Sequence, residues 1–414
     1  MSGTWRAGAA KADISPREDL FPLPQREGMR YERVGEPIFV RALALESKDG
    51  RVLCLSFELF GLPFAQELRK ALCERFELSE GEVLLCDTYN HCAPREDLYR
   101  FDTSHCGKDV QERTNAYFAD VQGAAMDAAQ AAFEALAPAC LSFGQTFCAV
   151  GINRDEQTDG GFVLGKNPEG PRDRTLTALL VKEERTGRVI AMAVHFALYG
   201  NMCYLADADG VLWVGGDLPG RVSSILEARY PGTTALWLCG AAGDQDPLLL
   251  STYATWTEDG ARSVRKMTHA EAALIRECQA QWIAGDALRA IASAQPVSGC
   301  ALCGIHARLN LPGKAGSGVP AEIMALRLGD WYLACVSGAP GAKLGEAICS
   351  SVAKAHVLAV THAGCLTGYL VDEAGCAQET FEKKNMLAFP GAYETEALPR
   401  LRRMAQLLRD GDLN

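Results

Sequence analysis

The 414-residue sequence lacks any run of lysines and arginines, and its formal net charge is −11. Nucleic acids and anionic membrane surfaces attract basic patches, so neither is expected as a partner. No window approaches 18 uninterrupted apolar residues, and residues 1–16 contain no apolar stretch behind a basic start. The sequence therefore predicts neither an integral membrane segment nor a secretion signal, and we expect a cytoplasmic protein.

A disulfide framework is also missing, although the sequence contains 16 cysteines. They are scattered, and several lie inside apolar runs, as Cys54, Cys86 and Cys239 do. Buried reduced thiols of a cytosolic protein explain this distribution better than disulfides do. The close pair Cys300 and Cys303 has no second pair at the spacing of a zinc ribbon, so we predict no structural zinc there.

No linker rich in proline, glycine or serine divides the chain, so residues 1–414 are predicted to form a single domain. The composition is 48% hydrophobic and 22% charged, which is typical of a globular protein with a substantial core. The sequence thus indicates an acidic protein of the size of an enzyme.

Three segments repeat one order of elements: two apolar runs joined by a tight turn, an amphipathic helix and a buried strand. The predicted strands and helix are 39–46, 52–58, 63–76 and 83–86 in the first segment, 176–182, 189–194, 217–229 and 235–239 in the second, and 322–328, 331–336, 343–353 and 356–360 in the third. This pattern predicts an α/β fold in which one mixed sheet is built from repeated hairpin–helix–strand units.

Each of the three units ends in a polar loop. In open α/β sheets ligands bind beyond the carboxyl ends of the strands, where such loops gather. We therefore expect the loops 87–97, 244–246 and 361–369 to meet, although they are far apart in the sequence.

Three of the seven histidines, His91, His195 and His362, are predicted to follow strands. Neutral imidazole is a common zinc ligand, and a catalytic zinc ion needs about three protein ligands and an open position. His195 directly follows the apolar run 189–194, where a core histidine bonded to the backbone is an equally good interpretation. A metal site that includes His91 and His195 is therefore one of two readings of this pattern.

Carboxylate, guanidinium and thiol groups also lie in these loops. Asp244 and Asp246 follow a turn of small residues, where each could bind a metal, activate water or cap the turn. Arg154 could bind a carboxylate, stabilise an oxyanion or form a surface ion pair. Cys92, beside His91, could be the nucleophile of a transferase or hydrolase, which is a third and weaker alternative.

Short motifs, found in one order along the chain, resemble those of the catalytic domain of the neutral/alkaline, non-lysosomal ceramidases. They are AGAAKADISP (7–16), TYNHCAP (88–94), GINRDE (151–156), AVHFALYG (193–200) with GGDLPG (215–220), GAAGDQDP (240–247), and GYLVDE (368–373) with a later AYE (392–394). The resemblance spans nearly the whole chain and implies the fold of that catalytic domain. We expect this chain to lack the C-terminal immunoglobulin-like domain of the family.

The resemblance implies a zinc amidohydrolase that cleaves the N-acyl bond of ceramide to sphingosine and a fatty acid. The zinc-ligand positions of the family match Tyr89, His195, Ala342 and Tyr369, of which His195 and Tyr369 keep the family's residue. The second histidine of the family's first motif is kept as His91. We therefore predict a divergent zinc site formed by His195, His91 and Tyr369.

The catalytic serine of the family matches Asp246, which suggests direct attack by a water molecule that Asp246 activates. Arg154 and Tyr393 match an arginine and a tyrosine of the family's active site, and His91 is a further catalytic candidate. Substrate binding is assigned to Tyr89, Asp244 and Asp217. The sequence thus predicts a metal-dependent hydrolase of an amide (N-acyl) or similar acyl bond in a small-molecule substrate. The alternative is a non-catalytic ligand-binding protein on the same scaffold.

Overall fold

The computed structural model describes residues 5–26, 29–95, 107–203, 211–258, 262–352 and 356–411. Its strands are β1 (Trp5–Asp13), β2 (Leu23–Arg26), β3 (Met29–Val34), β4 (Phe39–Ser47), β5 (Gly50–Phe57), β6 (Val83–Asp87), β7 (Ala137–Phe147), β8 (Gly151–Thr158), β9 (Gly161–Asn167), β10 (Thr175–Glu183), β11 (Val189–Phe196), β12 (Leu212–Val214), β13 (Thr234–Cys239), β14 (Gln245–Pro247), β15 (Thr252–Trp256), β16 (Arg262–Lys266), β17 (Gln295–Pro296), β18 (Leu302–Pro312), β19 (Gly318–Leu328), β20 (Trp331–Val336), β21 (Ala339–Pro340), β22 (His356–Val360) and β23 (Tyr369–Leu370). Its α-helices are α1 (Ala65–Phe76), α2 (Lys108–Glu134), α3 (Asp217–Arg229), α4 (His269–Ala292), α5 (Ala342–Ser350), α6 (Phe381–Asn385), α7 (Ala392–Glu396) and α8 (Leu398–Asp410).

Two large sheets form the centre of the structure. The first has the order β13-β11-β10-β7-β1-β4-β5-β6, with β17 added beside β7, and the second has the order β18-β19-β20-β22. Leucines such as Leu179 of the first sheet and Leu333 of the second share one apolar core between the sheets. Helices α1 to α4 cover the outer face of the first sheet, and α5, α7 and α8 cover that of the second. The structure therefore has four layers, in the order helices, first sheet, second sheet, helices.

Strand β11 shows why the central strands are apolar along their whole length. Successive side chains point to opposite faces of a strand, and both faces of this sheet are buried. Ala191 and Ala193 face the second sheet, whereas Met192 and Val194 face the helices. The apolar residues therefore form a continuous run instead of an alternating pattern.

The predicted α/β fold and its three repeated units are confirmed. In each unit an antiparallel hairpin is followed by a helix and by a strand parallel to the second strand of the hairpin. The units are β4-β5-α1-β6, β10-β11-α3-β13 and β19-β20-α5-β22. The first two lie in the first sheet and the third lies in the second, instead of all three in one sheet. The reason is that the third unit buries one face against the first sheet and the other under helices.

The segment 361–364 joins the carboxyl ends of strands from both sheets. Thr361 N–H donates to the carbonyl of Cys239 at 2.8 Å, and Gly364 N–H donates to that of Leu85 at 2.9 Å. Asp87 N–H donates to the carbonyl of His362 at 3.1 Å. The polar loops that follow these strands therefore meet at one place, as the sequence predicts.

None of the helices within the described ranges is both long and apolar enough to cross a membrane. The fifteen cysteines in these ranges are all free thiols.

Candidate active site

A cavity of about 730 Å³ lies where the loops of the two sheets meet. This volume is in the range of small-molecule sites in proteins. Six of the residues singled out in the sequence line it: Tyr89, His91, Arg154, Asp246, His362 and Tyr369. We call it the polar cavity.

The Asp246 carboxylate, on β14, is buried and held by polar neighbours at the wall of the polar cavity. Its Oδ1 accepts hydrogen bonds from Asn201 Nδ2 at 2.7 Å and from the Tyr199 hydroxyl at 3.0 Å. Arg154 Nη1 lies 3.5 Å from the same oxygen. Burial raises the pKa of Asp246, and the Arg154 guanidinium partly opposes this by favouring the charged form.

Arg154, on β8, links several polar groups of the site. Its Nε donates to Glu382 Oε1 at 2.7 Å, and its Nη2 lies 2.6 Å from the same oxygen. Nη2 also donates to the Tyr369 hydroxyl at 3.2 Å, and Nη1 donates to the Tyr199 hydroxyl. The buried guanidinium is therefore paired with two carboxylates, those of Glu382 and Asp246, and orients two tyrosines.

An aromatic stack forms another wall of the polar cavity. The ring of Tyr89 stacks between Phe60, at 4.6 Å, and His362, at 4.2 Å between centroids. The edge of His91 approaches Tyr89 at 5.0 Å, and the Tyr89 hydroxyl lies 3.5 Å from that of Tyr369. Tyr89 and His362 have φ of 48° and 53°. Such left-handed conformations are strained for bulky residues, and strained residues concentrate at functional sites.

Burial makes the uncharged form of two further cavity residues favourable. It lowers the pKa of His362 to about 3, so this imidazole is neutral near pH 7. It raises the pKa of Asp87 well above its ordinary value, which favours the protonated carboxyl group. His362 Nδ1 lies 3.9 Å from Asp87 Oδ1, which is too long for a hydrogen bond.

His195 does not line the polar cavity, and the structure does not bring it together with His91 and Tyr369. It lies on the face of β11 that is turned to the second sheet, and it lines an apolar space of about 40 Å³ between the sheets. Its Nε2 is 2.9 Å from the carbonyl oxygen of Ala359 on β22. His195 therefore has the position of a core histidine that is hydrogen-bonded to the backbone, which is one of the two interpretations of the sequence. The cause is the strand alternation that also turns Ala193 inward.

Asp244 caps a helix and does not line the polar cavity, in contrast to the predicted role in substrate binding. Its Oδ1 accepts the backbone N–H of Ala342, the first residue of α5, at 2.9 Å. Its Oδ2 accepts a hydrogen bond from Asn153 Nδ2 at 3.2 Å. Carboxylates satisfy the free N–H groups at helix starts in this way. Asp244 thus holds α5 against β8 and β14.

Asp217, the other acidic residue assigned to substrate binding, is also absent from the wall of the polar cavity. It is fully buried, and its Oδ2 accepts the backbone N–H groups of Met202 at 2.8 Å and Cys203 at 3.1 Å. Cys92 Sγ donates to the same oxygen at 3.2 Å. Burial, together with the Asp217 charge, raises the pKa of Cys92 well above its ordinary value. A thiol of this kind is a poor nucleophile, which argues against a Cys92-dependent enzyme.

Tyr393 is part of the apolar core beneath helices α7 and α8 and does not line the polar cavity. Its hydroxyl is buried and has no hydrogen-bond partner among the described residues. The match to a family motif therefore does not bring this predicted catalytic residue into the site, because α7 and α8 cover the outer face of the second sheet.

The residues in the described ranges do not fit a zinc ion. No group of three or more His, Cys, Asp or Glu side chains within them is placed to hold a metal. At the positions implied by the resemblance, Ala342 has no donor, His195 faces the inter-sheet core, and the Tyr89 ring is stacked.

Three residues of the site were not singled out in the sequence: Tyr199, Asn201 and Glu382. Tyr199 and Asn201 lie in the loop after β11, a few residues beyond His195. His362 was recognised as following a strand, which was a usable signal. Glu382 lies on the short helix α6, and nothing in the local sequence marks it.

Comparison with known proteins identifies the fold. No family model matches the sequence, and no curated protein matches it. The neutral ceramidase from Pseudomonas aeruginosa matches with a TM-score of 0.79 and 14% sequence identity, over 99% of this chain and 75% of that chain. A ceramidase complexed with C2 matches with the same TM-score and identity, over 99% of this chain and 76% of that chain. This chain therefore has the fold of neutral ceramidase.

Proposed function

We propose that the protein is a hydrolase that cleaves an amide (N-acyl) or similar acyl bond of a small molecule in the polar cavity. The observation that carries the proposal is the buried Asp246 carboxylate. Two donors, Asn201 and Tyr199, hold one of its oxygens beside Arg154, in a cavity of suitable size for a small ligand. The fold shared with ceramidases makes acyl-bond hydrolysis a reasonable class of reaction, as an analogy.

Asp246 is assigned the role of general base. It takes a proton from a water molecule, whose oxygen attacks the carbonyl carbon of the substrate. When the carbon–nitrogen bond breaks, the amine nitrogen receives that proton, which leaves a carboxylic acid and an amine. A base works best when its pKa is near the working pH, and burial raises the pKa of Asp246 in that direction.

Tyr369 is assigned the stabilisation of the carbonyl oxygen as it becomes negative. Its hydroxyl accepts a hydrogen bond from Arg154 Nη2 at 3.2 Å, which leaves its own proton available for a bond to the substrate. Hydrogen-bond donors placed in advance at a developing oxyanion are among the largest contributions to catalysis. Tyr89, whose hydroxyl is 3.5 Å from that of Tyr369, is assigned to substrate binding.

The zinc ion, the participation of His91 and the cytoplasmic location stay predictions. Metal analysis of protein purified without a chelator tests the first of these. A stoichiometric zinc ion that His91→Ala removes would support a metal-dependent route and would overturn the assignment of Asp246 as sole activator of water.

The proposed function is tested with a panel of N-acyl compounds, using mass spectrometry to detect the released acid. We expect hydrolysis of at least one of them by the wild-type protein, and a loss of about 10³-fold or more in kcat for Asp246→Asn. Asp159→Asn, in an exposed turn, is the matched control and should keep full activity. Equal activity of Asp246→Asn and the wild type would rule out the role of Asp246.

The second candidate is a non-catalytic ligand-binding protein. It is favoured by the pairing of Arg154 with both Glu382 and Asp246, because this pairing gives each of the three buried charged groups a partner of opposite charge without a substrate. Binding of an N-acyl compound in the polar cavity, with no turnover of any member of the panel, would select this candidate.

A further inference from the structure

A small antiparallel sheet carries two of the groups that are assigned to hydrolysis. Its strands have the order β14-β8-β9. Asp246 lies on β14, at one edge, Arg154 lies on the central strand β8, and Leu164 lies on β9, at the other edge. All three residues line the polar cavity. The base, the arginine and the leucine therefore follow one another across the sheet.

The pairing of the three strands sets the spacing of these residues. Asp246 is opposite Ile152 on β8, two residues before Arg154. Leu164 is opposite Asp155, the residue after Arg154. Neighbouring strands of a sheet are about 5 Å apart. Asp246 and Leu164 thus lie on opposite sides of Arg154, each one strand away from it.

The assigned roles give the substrate a direction across this sheet. Its amide nitrogen lies near Asp246, because this residue passes the nitrogen a proton. Its carbonyl oxygen lies near the Tyr369 hydroxyl, to which Arg154 Nη2 donates at 3.2 Å. The acyl chain leaves the carbonyl carbon on the side away from the nitrogen. It is therefore directed away from β14, past β8 and towards β9.

Apolar side chains lie on this path. Phe381, on α6, lines the polar cavity and approaches the ring of Tyr369 edge to face, with 5.8 Å between the centroids. Helix α6 packs against β9, the strand of Leu164. An apolar wall thus begins beside the residue that is assigned to the carbonyl oxygen and continues to Leu164. Such a wall suits a hydrocarbon chain.

Leu164 is 53% exposed, so it lies at the mouth of the polar cavity and a bound chain can cover it. Covering exposed apolar surface is favourable in proportion to the area that is removed from water. The preceding residue, Val163, is exposed to a similar extent, 46%, but is not among the described residues that line the cavity. The two neighbours therefore differ in their access to a ligand and resemble each other in exposure.

We propose that the substrate lies across β14, β8 and β9 in that order, and that Leu164 binds its acyl chain. The proposal rests on the proposed function for the positions of the amide nitrogen and the carbonyl oxygen. It adds the direction of the substrate in the polar cavity. It also makes Leu164 a specificity-determining residue for the acyl part and not for the amine part.

Two isomeric amides test the direction of the substrate. N-methyloctanamide has its long chain on the acyl side, and N-heptylacetamide has its long chain on the amine side. Leu164→Ser should lower kcat/KM for N-methyloctanamide about three- to tenfold, because it removes apolar surface that the chain covers. The kcat/KM for N-heptylacetamide should stay within about twofold of the wild type.

Val163→Ser is the matched control, because it makes a similar change at the neighbouring exposed residue of β9. It should leave kcat/KM for both amides unchanged. Leu164→Met keeps the apolar surface and should retain the wild-type preference between the two amides. Circular dichroism and thermal unfolding verify that each variant is folded.

An equal loss for both amides in Leu164→Ser, a loss confined to N-heptylacetamide, or no loss would overturn the proposal. Failure of the wild type to hydrolyse any N-acyl compound would reject the proposed function instead. Calorimetry then compares the dissociation constants of the same two amides. Weaker binding of N-methyloctanamide alone in Leu164→Ser would still support the assignment of Leu164 to the acyl chain, whereas an equal change for both amides, or no binding of either, would overturn it.

Discussion

Two histidines at the ends of strands lie in two different regions of the molecule. His195 faces the apolar space of about 40 Å³ between the sheets and is bonded to the carbonyl of Ala359. His362 lies on the wall of the polar cavity of about 730 Å³ and stacks on Tyr89. Both imidazoles are buried, and burial lowers the pKa of both.

The difference lies in the backbone that carries each histidine. His195 is still within the regular strand β11, so strand alternation turns it into the core. His362 follows β22 with a φ of 53°, outside the strand geometry, and joins the wall of the cavity. Of these two histidines, the one that reaches the cavity is therefore the one that follows the end of its regular strand.

The largest expected effect of a substitution in the polar cavity is that of Arg154→Met. The change leaves the buried carboxylates of Glu382 and Asp246 without their cation, which should cost about 3–5 kcal/mol of unfolding free energy and abolish hydrolysis. Urea denaturation and kcat measure the two losses. Arg154→Met combined with Glu382→Met should recover part of the stability and none of the activity. Wild-type stability of the single variant would contradict the charge pairing described above.

In the inter-sheet region, Leu358→Ala should reduce stability without affecting catalysis. The side chain is buried and lines the apolar space, so its truncation enlarges a void and should cost about 2–5 kcal/mol. The kcat/KM of the folded protein should stay within about twofold of the wild type. A large loss of kcat/KM at full folding would show that the two regions are coupled.

His195→Leu should have a smaller effect on stability. It removes one buried hydrogen bond, to the carbonyl of Ala359, which should cost about 1–2 kcal/mol. Hydrolysis should be unchanged if His195 is a core residue. Loss of activity in a fully folded His195→Leu protein would restore the prediction that His195 is a zinc ligand.

A further expected effect concerns pH. Burial, with the Glu382 carboxylate, raises the pKa of Asp155 to about 8. With this raised pKa, the folded protein binds the proton of Asp155 more tightly than the unfolded chain does. Proton binding therefore stabilises the folded protein below the unfolded pKa of about 4, and this stabilisation is lost as the pH rises through about 8. The Tm of Asp155→Asn should therefore fall less than that of the wild type between about pH 4 and pH 8. The exposed Asp159→Asn serves as control, and parallel Tm curves for all three proteins would exclude the raised pKa.

The sequence was sufficient to predict the repeated units and the place where their loops meet. The order of apolar runs and turns is a local property, and parallel strands direct their carboxyl ends to one edge. Asp246 and Tyr369 consequently line the same cavity, although they lie far apart in the chain. The division of the units between two sheets was not predictable, because a strand that is apolar on both faces does not show which surface covers it.

The site was predictable only in part for a related reason. Alternation cannot assign a direction to His195 when both faces of β11 are buried. Motif similarity likewise placed Tyr393 in the site, whereas packing of α7 and α8 places it in a core. Glu382 pairs with Arg154 from 228 residues away, and such tertiary contacts leave no local pattern in one sequence.

The most direct test of the account is a crystal structure of Asp246→Asn with the N-acyl compound that the wild type hydrolyses or binds best. We predict that the compound occupies the polar cavity, with its carbonyl oxygen within about 3.2 Å of the Tyr369 hydroxyl and its amide beside residue 246. A compound bound outside the cavity, or with its carbonyl group turned away from Tyr369 and residue 246, would contradict the account.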